Sequence, residues 1–238
     1  MLTSIRPSFG LYRLFWSGLD YIYPPYCGGC GKRGKRWCDE CNQASIRIVS
    51  PVCSCCGRPI SNIETCVRCK TNPPGYAALR SWAIYCNSIR QAIHQLKYRR
   101  NLALGEVLAG GLIELLDTLM WEVDIVTPVP LGQKRQRERG YNQAAMLAYP
   151  LAIAKGLPYK KHALKRTQET DSQVYLSREQ RAKNVENAFL ADTKIVKGRN
   201  ILVVDDVTTT GATMQACALA LLEAGANCVY GLTLARAG

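Results

Sequence analysis

The chain has 238 residues and is basic, with 31 Lys and Arg against 18 Asp and Glu. Its hydrophobic content of 47% supports a buried core and excludes a largely disordered chain. No run approaches the roughly 18 consecutive apolar residues that a membrane span needs. The formal charge of +13 favours an anionic partner, either a nucleic acid or a polyphosphate.

The first recognisable segment is apolar, residues 8–27 with the sequence SFGLYRLFWSGLDYIYPPYC, interrupted by Arg13 and Asp20. It lacks the basic, apolar and small-residue order of a secretory signal, so we predict a cytoplasmic protein. Its apolar residues recur at helical spacing, which predicts a short amphipathic helix packed on the body of the protein. A helix that lies on a membrane surface is the alternative.

Eight of the twelve cysteines form four Cys-x-x-Cys pairs. A pair with this spacing in a tight turn directs both sulfurs at one metal ion, and two pairs complete the tetrahedral sulfur site that Zn²⁺ prefers. The pairs therefore predict two structural zinc sites in two zinc ribbons. The predicted ligands are Cys27, Cys30, Cys38, Cys41, Cys53, Cys56, Cys66 and Cys69. Disulfides are the alternative, which a reducing compartment disfavours.

The pairs can share metals in two ways. Sequential pairing closes the shorter loops and costs the least chain entropy, and a crossed arrangement is the alternative. Cys55 is left without a predicted role, while Cys86, Cys217 and Cys228 lie in apolar contexts and are predicted core residues.

A basic run separates the first two cysteine pairs and stands next to Trp37. Clustered cations beside an aromatic ring favour contact with a nucleic-acid strand, and a solvated loop is the alternative. The predicted contact residues are Lys32, Arg33, Lys35 and Arg36.

Pro73, Pro74 and Gly75 interrupt the chain after the last pair, which predicts an N-terminal domain of residues 1–75 and a second domain of residues 76–238. In the second domain SWAIYC, DIVTPVP, NILVVDD and CVYGLTLAR are predicted strands. Predicted helices are SIRQAIHQLKY, ALGEVLAGGLIELLDTLM, YNQAAMLAYPLAIAKG (kinked or ended near Pro150), SREQRAKNVENAF from Ser177, and GATMQACALALLEAGA. This alternation predicts an α/β fold with a largely parallel sheet, in which ligands bind beyond the carboxyl ends of the strands.

The stretch ILVVDDVTTTGAT, residues 201–213, places two acids before a Thr-rich turn. ILVV predicts a strand buried on both faces, which ends at Asp205 and Asp206, and a helix should begin at about Ala212. The N–H groups at a helix N-terminus favour a phosphate, and the acids lie where the hydroxyls of a sugar could bind. A ribose 5-phosphate would use both, and a plain strand-turn-helix is the alternative. The predicted site residues are Asp205, Asp206, Thr208, Thr209, Thr210, Gly211, Ala212 and Thr213.

The same stretch resembles the phosphoribosyl-pyrophosphate (PRPP) motif of type I phosphoribosyltransferases. Three further segments, HQLKYRRNLALGEVLA, VTPVPLGQKRQRERGYNQA and LKRTQETDSQVYLSREQRAKNVENAF, resemble the ComF/GntX family of competence-associated proteins. This resemblance implies a type I phosphoribosyltransferase-like parallel sheet joined to a small N-terminal double zinc-ribbon domain. In the PRPP motif it implies that the two acids hold the ribose hydroxyls and that residues 209–213 surround the 5-phosphate.

The resemblance also implies roles for two basic segments. Lys97, Tyr98 and Arg99 match the loop that contacts pyrophosphate, and a cationic turn suits a diphosphate. Arg135, Arg137 and Arg139 lie in a segment expected to be a loop that covers the site and engages a diphosphate or a nucleic-acid backbone. A solvated loop is the alternative for this second run.

Three functions remain open from the sequence. The resemblance favours a cytoplasmic protein that handles incoming single-stranded DNA in natural transformation and has a PRPP-like ribose-phosphate pocket. An active, Mg²⁺-dependent phosphoribosyltransferase with an unknown acceptor is the alternative. Purine-salvage members of the fold often carry an acid where this chain has Thr209, which argues against that particular activity. An adaptor that docks a DNA helicase or recombination protein is the third.

Overall fold

The computed structural model describes residues 24–61, 64–167 and 188–237. The strands are β1 (Ala78–Ile84), β2 (Ile125–Pro128), β3 (Leu164–Arg166), β4 (Phe189–Ala191), β5 (Asn200–Thr208) and β6 (Cys228–Arg236). The helices are α1 (Asp39–Gln43), α2 (Val67–Thr71), α3 (Asn87–Tyr98), α4 (Leu102–Asp117), α5 (Gln133–Arg139), α6 (Gln143–Lys155), α7 (Thr193–Val196) and α8 (Ala212–Glu223).

The central sheet has four parallel strands in the order β1-β6-β5-β2. Successive side chains of a strand point to opposite faces. Leu202 of β5 therefore joins one buried cluster, which contains residues of α3, α4 and α6. Ile201 joins a second buried cluster on the other face, which contains residues of α8 and of the paired strands β3 and β4. Because both faces are covered, the ILVV run is buried along its whole length, as the sequence predicts.

The cysteine-rich region covers the outer edge of β1. The backbone N–H of Ile48 donates to Trp82 O at 3.1 Å, and that of Ile84 donates to Ile46 O at 2.8 Å. Further along the same strand, Leu79 N donates to Cys55 O at 2.7 Å. An uncovered edge strand would present unpaired backbone groups, so these contacts complete the sheet as well as attach the cysteine-rich region.

Several predicted elements differ from the structure. Helix α6 continues past Pro150 to Lys155, and the residue that follows it, Gly156, has a φ of 64°. The short antiparallel strands β3 and β4 and helix α7 were not predicted, because segments of three or four residues carry too little periodicity. The predicted N-terminal helix and the helix from Ser177 lie outside the described residues. In the part of the chain that the structure describes, no helix has the length and apolar character needed to cross a membrane.

Candidate functional site

The eight paired cysteines gather into two sets of four, and within each set the sulfurs all lie within 4.8 Å of one another. The Sγ atoms of Cys27 and Cys38 are 3.6 Å apart, and those of Cys56 and Cys66 are 3.8 Å apart. A tetrahedral site with Zn–S bonds of about 2.3 Å requires sulfurs about 3.8 Å apart, so both sets fit Zn²⁺. The sets are Cys27, Cys30, Cys38 and Cys41, and Cys53, Cys56, Cys66 and Cys69. Sequential pairing is confirmed, and the crossed arrangement is wrong.

Backbone N–H groups surround one thiol in each set. Gly29 N and Cys38 N each lie 3.4 Å from Cys27 Sγ, and Cys66 N lies 3.4 Å from Cys53 Sγ. Burial raises the pKa of both thiols, but the backbone donors outweigh burial and lower each pKa to about 6. The thiolate is the form that binds metal, so the backbone donors favour the metal-binding form of Cys27 and Cys53, whereas burial raises the pKa of Cys41 and Cys69 in the same sets.

The four remaining cysteines lie outside the two sets. Cys217 is buried in the core, as predicted, whereas Cys86 and Cys228 are only half-buried. Cys55 is also half-buried, and it contributes a backbone carbonyl to the edge of β1. The sequence prediction of three core cysteines therefore holds fully for Cys217 alone.

The basic run of the first ribbon is exposed and partly neutralised by its own helix. Lys32 Nζ contacts both carboxylate oxygens of Glu40, at 2.7 and 2.6 Å, and Lys35 Nζ lies 2.6 Å from Asp39 Oδ2. Arg33 and Arg36 flank them in the same exposed loop. Exposed ion pairs of this kind stabilise a protein little, so a competing phosphate has only a weak contact to replace.

Asp205 and Asp206 lie inside β5 and not at its end. Pairing with β6 continues to Thr208 and Arg236, so the strand runs two residues beyond Asp206, where the sequence predicts its end. The two carboxylates therefore face opposite sides of the sheet. Asp205 lines a cavity formed by residues 207–214 and Thr233, while Asp206 is buried on the other side.

Asp206 brings two predicted segments together. Lys97 Nζ forms an ion pair with Asp206 Oδ2, and Gln143 Nε2 lies 3.5 Å from Asp206 Oδ1. Arg139 Nη1 donates to Gln143 Oε1 at 2.7 Å, and its guanidinium lies 5.0 Å from the centre of the Tyr98 ring. The segment that resembles a pyrophosphate loop thus contacts Asp206 and Arg139 at the end of α5.

The other predicted cations occupy a different environment. The sequence predicts a loop at residues 133–139, and this is wrong: they form α5, which has no buried residue and ends at Gly140 with a φ of 81°. The run QKRQRER contains only good helix formers, which explains the helix. Arg135 and Arg137 lie on this exposed helix, and Arg99 follows α3, also exposed. Among the described contacts, none of these three reaches the acids.

Burial raises the pKa of Asp205 well above its usual range, and the negative charge of Asp206 raises it further. The N–H of Asp206, which donates to Asp205 Oδ1 at 2.8 Å, and the charge of Lys97 oppose this rise. The ionised form of Asp205 is therefore destabilised by burial and by the neighbouring charge of Asp206. A ligand whose hydroxyl donates a hydrogen bond to Asp205 would stabilise that ionised form.

Residues 209–211 form the turn between β5 and α8. Gly211 has a φ of 82°, and a Cβ at this position would lie 3.1 Å from the Tyr76 hydroxyl. Thr209, Thr210 and Thr213 are exposed beside it. Hydroxyls and free N–H groups at the start of a helix form an anion site, so the turn can hold a phosphate next to Asp205.

Sequence reasoning missed Gln143, which joins Arg139 to Asp206, and Thr233, which lines the cavity next to Asp205. Gln143 stands at the first position of a helix, where a polar residue is usually exposed, and here it is buried. Thr233 lies in an otherwise apolar strand, and its contact with Ser81 at 2.7 Å exists only because β1 and β6 are neighbours.

Two family models match the chain: a double zinc ribbon domain over residues 18–70 and a phosphoribosyl transferase domain over residues 138–238. The chain is 35% identical to the DNA utilization protein YhgH of Escherichia coli (strain K12), over 84% of this chain and 89% of that protein. It is 28% identical to the competence protein ComFC of Bacillus subtilis (strain 168), over 86% of each. A solved structure of B. subtilis glutamine PRPP amidotransferase shares 26% identity at a TM-score of 0.37, over 60% of this chain and 27% of that one.

The relatives and the matched models agree with the architecture. The fold is a type I phosphoribosyltransferase-like parallel sheet, preceded by a double zinc ribbon with two four-cysteine sites. The similarity to the relatives spans both parts of the chain and most of each relative's length. The chain belongs to the ComF family of competence-associated proteins.

Proposed function

We propose that this protein handles incoming single-stranded DNA during DNA uptake, in the cytoplasm, and binds a ribose phosphate such as PRPP at the turn after β5. The single observation that carries the proposal is that Asp205 lines the cavity of the Thr-rich turn, while its neighbour Asp206 forms an ion pair with Lys97. Relatives named for DNA utilization and competence support the DNA role.

Each part of a sugar phosphate has a counterpart in this arrangement. The turn of residues 209–213 would bind the 5-phosphate through N–H and hydroxyl donors. Asp205, which lines the cavity of this turn, would accept hydrogen bonds from ribose hydroxyls, while Asp206, on the opposite side of the strand, holds Lys97. Lys97 already forms an ion pair with Asp206, so a bound diphosphate, with its Mg²⁺, would compete for that ammonium group.

The DNA would bind mainly through charge. The formal charge is +13. Candidate phosphate contacts are the exposed Lys32, Arg33 and Lys35 and the half-buried Arg36 of the first ribbon, together with the exposed Arg135 and Arg137 and the half-buried Arg139 of α5. Affinity that arises from such contacts falls steeply with salt concentration. A DNA helicase or recombination partner stays a prediction.

The test is fluorescence anisotropy of a labelled single-stranded oligonucleotide against the zinc-loaded protein, at low and high salt, with and without PRPP and Mg²⁺. We expect binding that weakens with salt and is displaced by PRPP. The Asp205→Asn variant should lose PRPP displacement while it retains DNA binding at low salt, because Asp205 is the carboxylate that lines the turn cavity. DNA affinity that is unchanged by PRPP would separate the pocket from DNA binding, and no binding at low salt would refute the DNA role.

A second function is an active phosphoribosyltransferase with an unknown acceptor. The ion pair of Lys97 with Asp206 supports this function, because a leaving pyrophosphate would need a cation near the acids. The test is Mg²⁺-dependent release of pyrophosphate from PRPP with a panel of nucleobases and amines. Silence across that panel, with protein shown to bind PRPP, would contradict this second function.

A further inference from the structure

A second polar cavity lies between the second zinc ribbon and the sheet. It is lined by Arg58 and Arg68 of the ribbon, by Arg236 at the end of β6, and by Thr210, Gly211 and Gln215 at the start of α8. Thr210 and Gly211 also line the cavity next to Asp205, so the two cavities adjoin at the turn of residues 209–211. We call this turn the phosphate turn, after the ligand proposed for it.

Arg236 is the unusual member of this cavity. Its residue is only 4% exposed, and one of its terminal nitrogens donates to the carbonyl of Cys56. Its Nε atom has no hydrogen-bond partner among the described residues. A buried donor of this kind costs free energy unless an acceptor satisfies it, so the cavity lacks one acceptor.

The charges around Arg236 also point to a missing anion. A zinc ion with four thiolates carries a formal charge of −2, against three guanidinium groups in this cavity. The zinc site therefore accounts for part of the positive charge and leaves a surplus.

The ribbon also contacts the phosphate turn directly. Arg68 Nη1 donates to the carbonyl of Thr210 at 2.7 Å, and Gly75 N donates to Gln215 Oε1 at 2.7 Å. An anion in this cavity would thus sit against the same turn that is predicted to hold the sugar phosphate. Guanidinium groups bind phosphate oxygens with strong, charge-assisted hydrogen bonds.

We propose that the cavity formed by Arg58, Arg68 and Arg236 is a subsite for one backbone phosphate of a single-stranded nucleic acid, next to the sugar-phosphate site. This inference rests on the proposed DNA function. An acidic peptide would match the charge, but the shared wall with the ribose-phosphate cavity favours a polynucleotide, whose phosphates are joined through sugars. The second ribbon would then act as one wall of a continuous strand-binding cleft.

The experiment compares Arg58→Ala and Arg68→Ala with Lys70→Ala. Lys70 is exposed on the same helix as Arg68 and does not line the cavity, which makes it a matched control. Anisotropy of a labelled single strand is measured over a salt series. Each arginine variant should weaken binding roughly tenfold and reduce the slope of log affinity against log salt by about 0.7, the value for one lost phosphate contact on a single strand.

Zinc content is measured for every variant. If Arg68→Ala loses zinc, the Arg58→Ala variant alone tests the subsite. Arg58 is exposed, and none of the described hydrogen bonds or ion pairs joins it to the turn of residues 209–211. Wild-type binding with both arginine variants equal to Lys70→Ala would overturn the subsite and leave the DNA function standing. No wild-type binding at low salt would overturn both. A polyglutamate peptide that depends on Arg58 while the oligonucleotide does not would assign the cavity to acidic proteins and overturn the proposal.

Discussion

The two zinc ribbons share one metal motif but are attached to the sheet in different ways. Cys27 and Cys41 of the first ribbon join the buried cluster beside Leu104, which is an apolar attachment. The second ribbon is attached mainly by hydrogen bonds, among them Leu79 N to Cys55 O and Arg68 Nη1 to Thr210 O. The comparison indicates that the first ribbon stabilises the core, while the second is coupled to the candidate ligand site.

Loss of one zinc ligand tests this difference most strongly. Structural zinc contributes about 10–16 kcal/mol to the folding of isolated zinc fingers, so Cys41→Ser and Cys69→Ser should each reduce the zinc content from the expected two ions to one. We expect Cys41→Ser to lower the midpoint of unfolding more, because Cys41 belongs to the core cluster. Cys69→Ser should lower affinity for PRPP more, because its ribbon contacts the phosphate turn.

The readouts are metal analysis, urea unfolding followed by tryptophan fluorescence, and PRPP titration. Equal effects of the two variants on unfolding and on PRPP affinity would show that the ribbons are equivalent, and would refute the difference in attachment.

Equivalent glycines in the two ribbons give a second test. Gly31 and Gly57 each follow the second cysteine of a knuckle, at φ values of 78° and 68°. A Cβ at Gly57 would lie 2.2 Å from Leu79 O, whereas a Cβ at Gly31 meets nothing within 4 Å. Gly31→Ala should cost about 1–2 kcal/mol from backbone strain. Gly57→Ala should cost about 1–3 kcal/mol more, because the ribbon must move away from β1.

The free energy of unfolding of both variants, from urea titration at saturating zinc, checks this prediction. A difference of less than 0.5 kcal/mol would mean that the second ribbon yields easily at the sheet edge.

The carboxylates beside the phosphate turn give a pH-dependent test. Because the folded-state pKa of Asp205 is raised, the folded protein binds more protons than the unfolded chain above pH ~4. Stability is therefore lost as the pH rises from there through the raised pKa. Asp205→Asn should remove this loss and stabilise the unliganded protein by about 1–3 kcal/mol at pH 8, with little difference at pH 4.

The same variant should bind PRPP more weakly, because the amide presents one hydrogen-bond acceptor fewer. Urea unfolding at the two pH values, paired with PRPP titration, separates the effects. A destabilised Asp205→Asn protein at pH 8 would contradict the inferred destabilisation of ionised Asp205 in this strand.

The smallest effect is expected at the exposed cations of the first ribbon. Lys32 is already paired with Glu40, so Lys32→Ala should weaken oligonucleotide binding by only about twofold, as for a rim charge. Glu40→Gln should strengthen it by a similar factor, since it frees the ammonium group. A larger loss for Lys32→Ala than for Arg58→Ala, measured by anisotropy at low salt, would make the first ribbon the main DNA contact.

Much of the architecture could be predicted from local patterns. The cysteine spacing predicts both metal sites, because the turn that presents two sulfurs is a local structure. The apolar run before Asp205 predicts a buried strand, and Ala212 is correctly predicted as the helix start. The end of that strand was predicted too early, because its last two residues are held by pairing with a strand about 30 residues away.

The amino-acid sequence by itself determined the zinc ligands, the parallel α/β alternation and the Thr-rich turn before α8, since each depends on residues close together in the chain. Only the tertiary structure decided that Asp206 meets Lys97 and Gln143, and that Arg236 lies against Cys56. These contacts join residues 63 to 180 positions apart in the sequence. Their formation depends on which strands are neighbours and which edge the ribbons cover, and hydrophobic burial of the whole chain decides that.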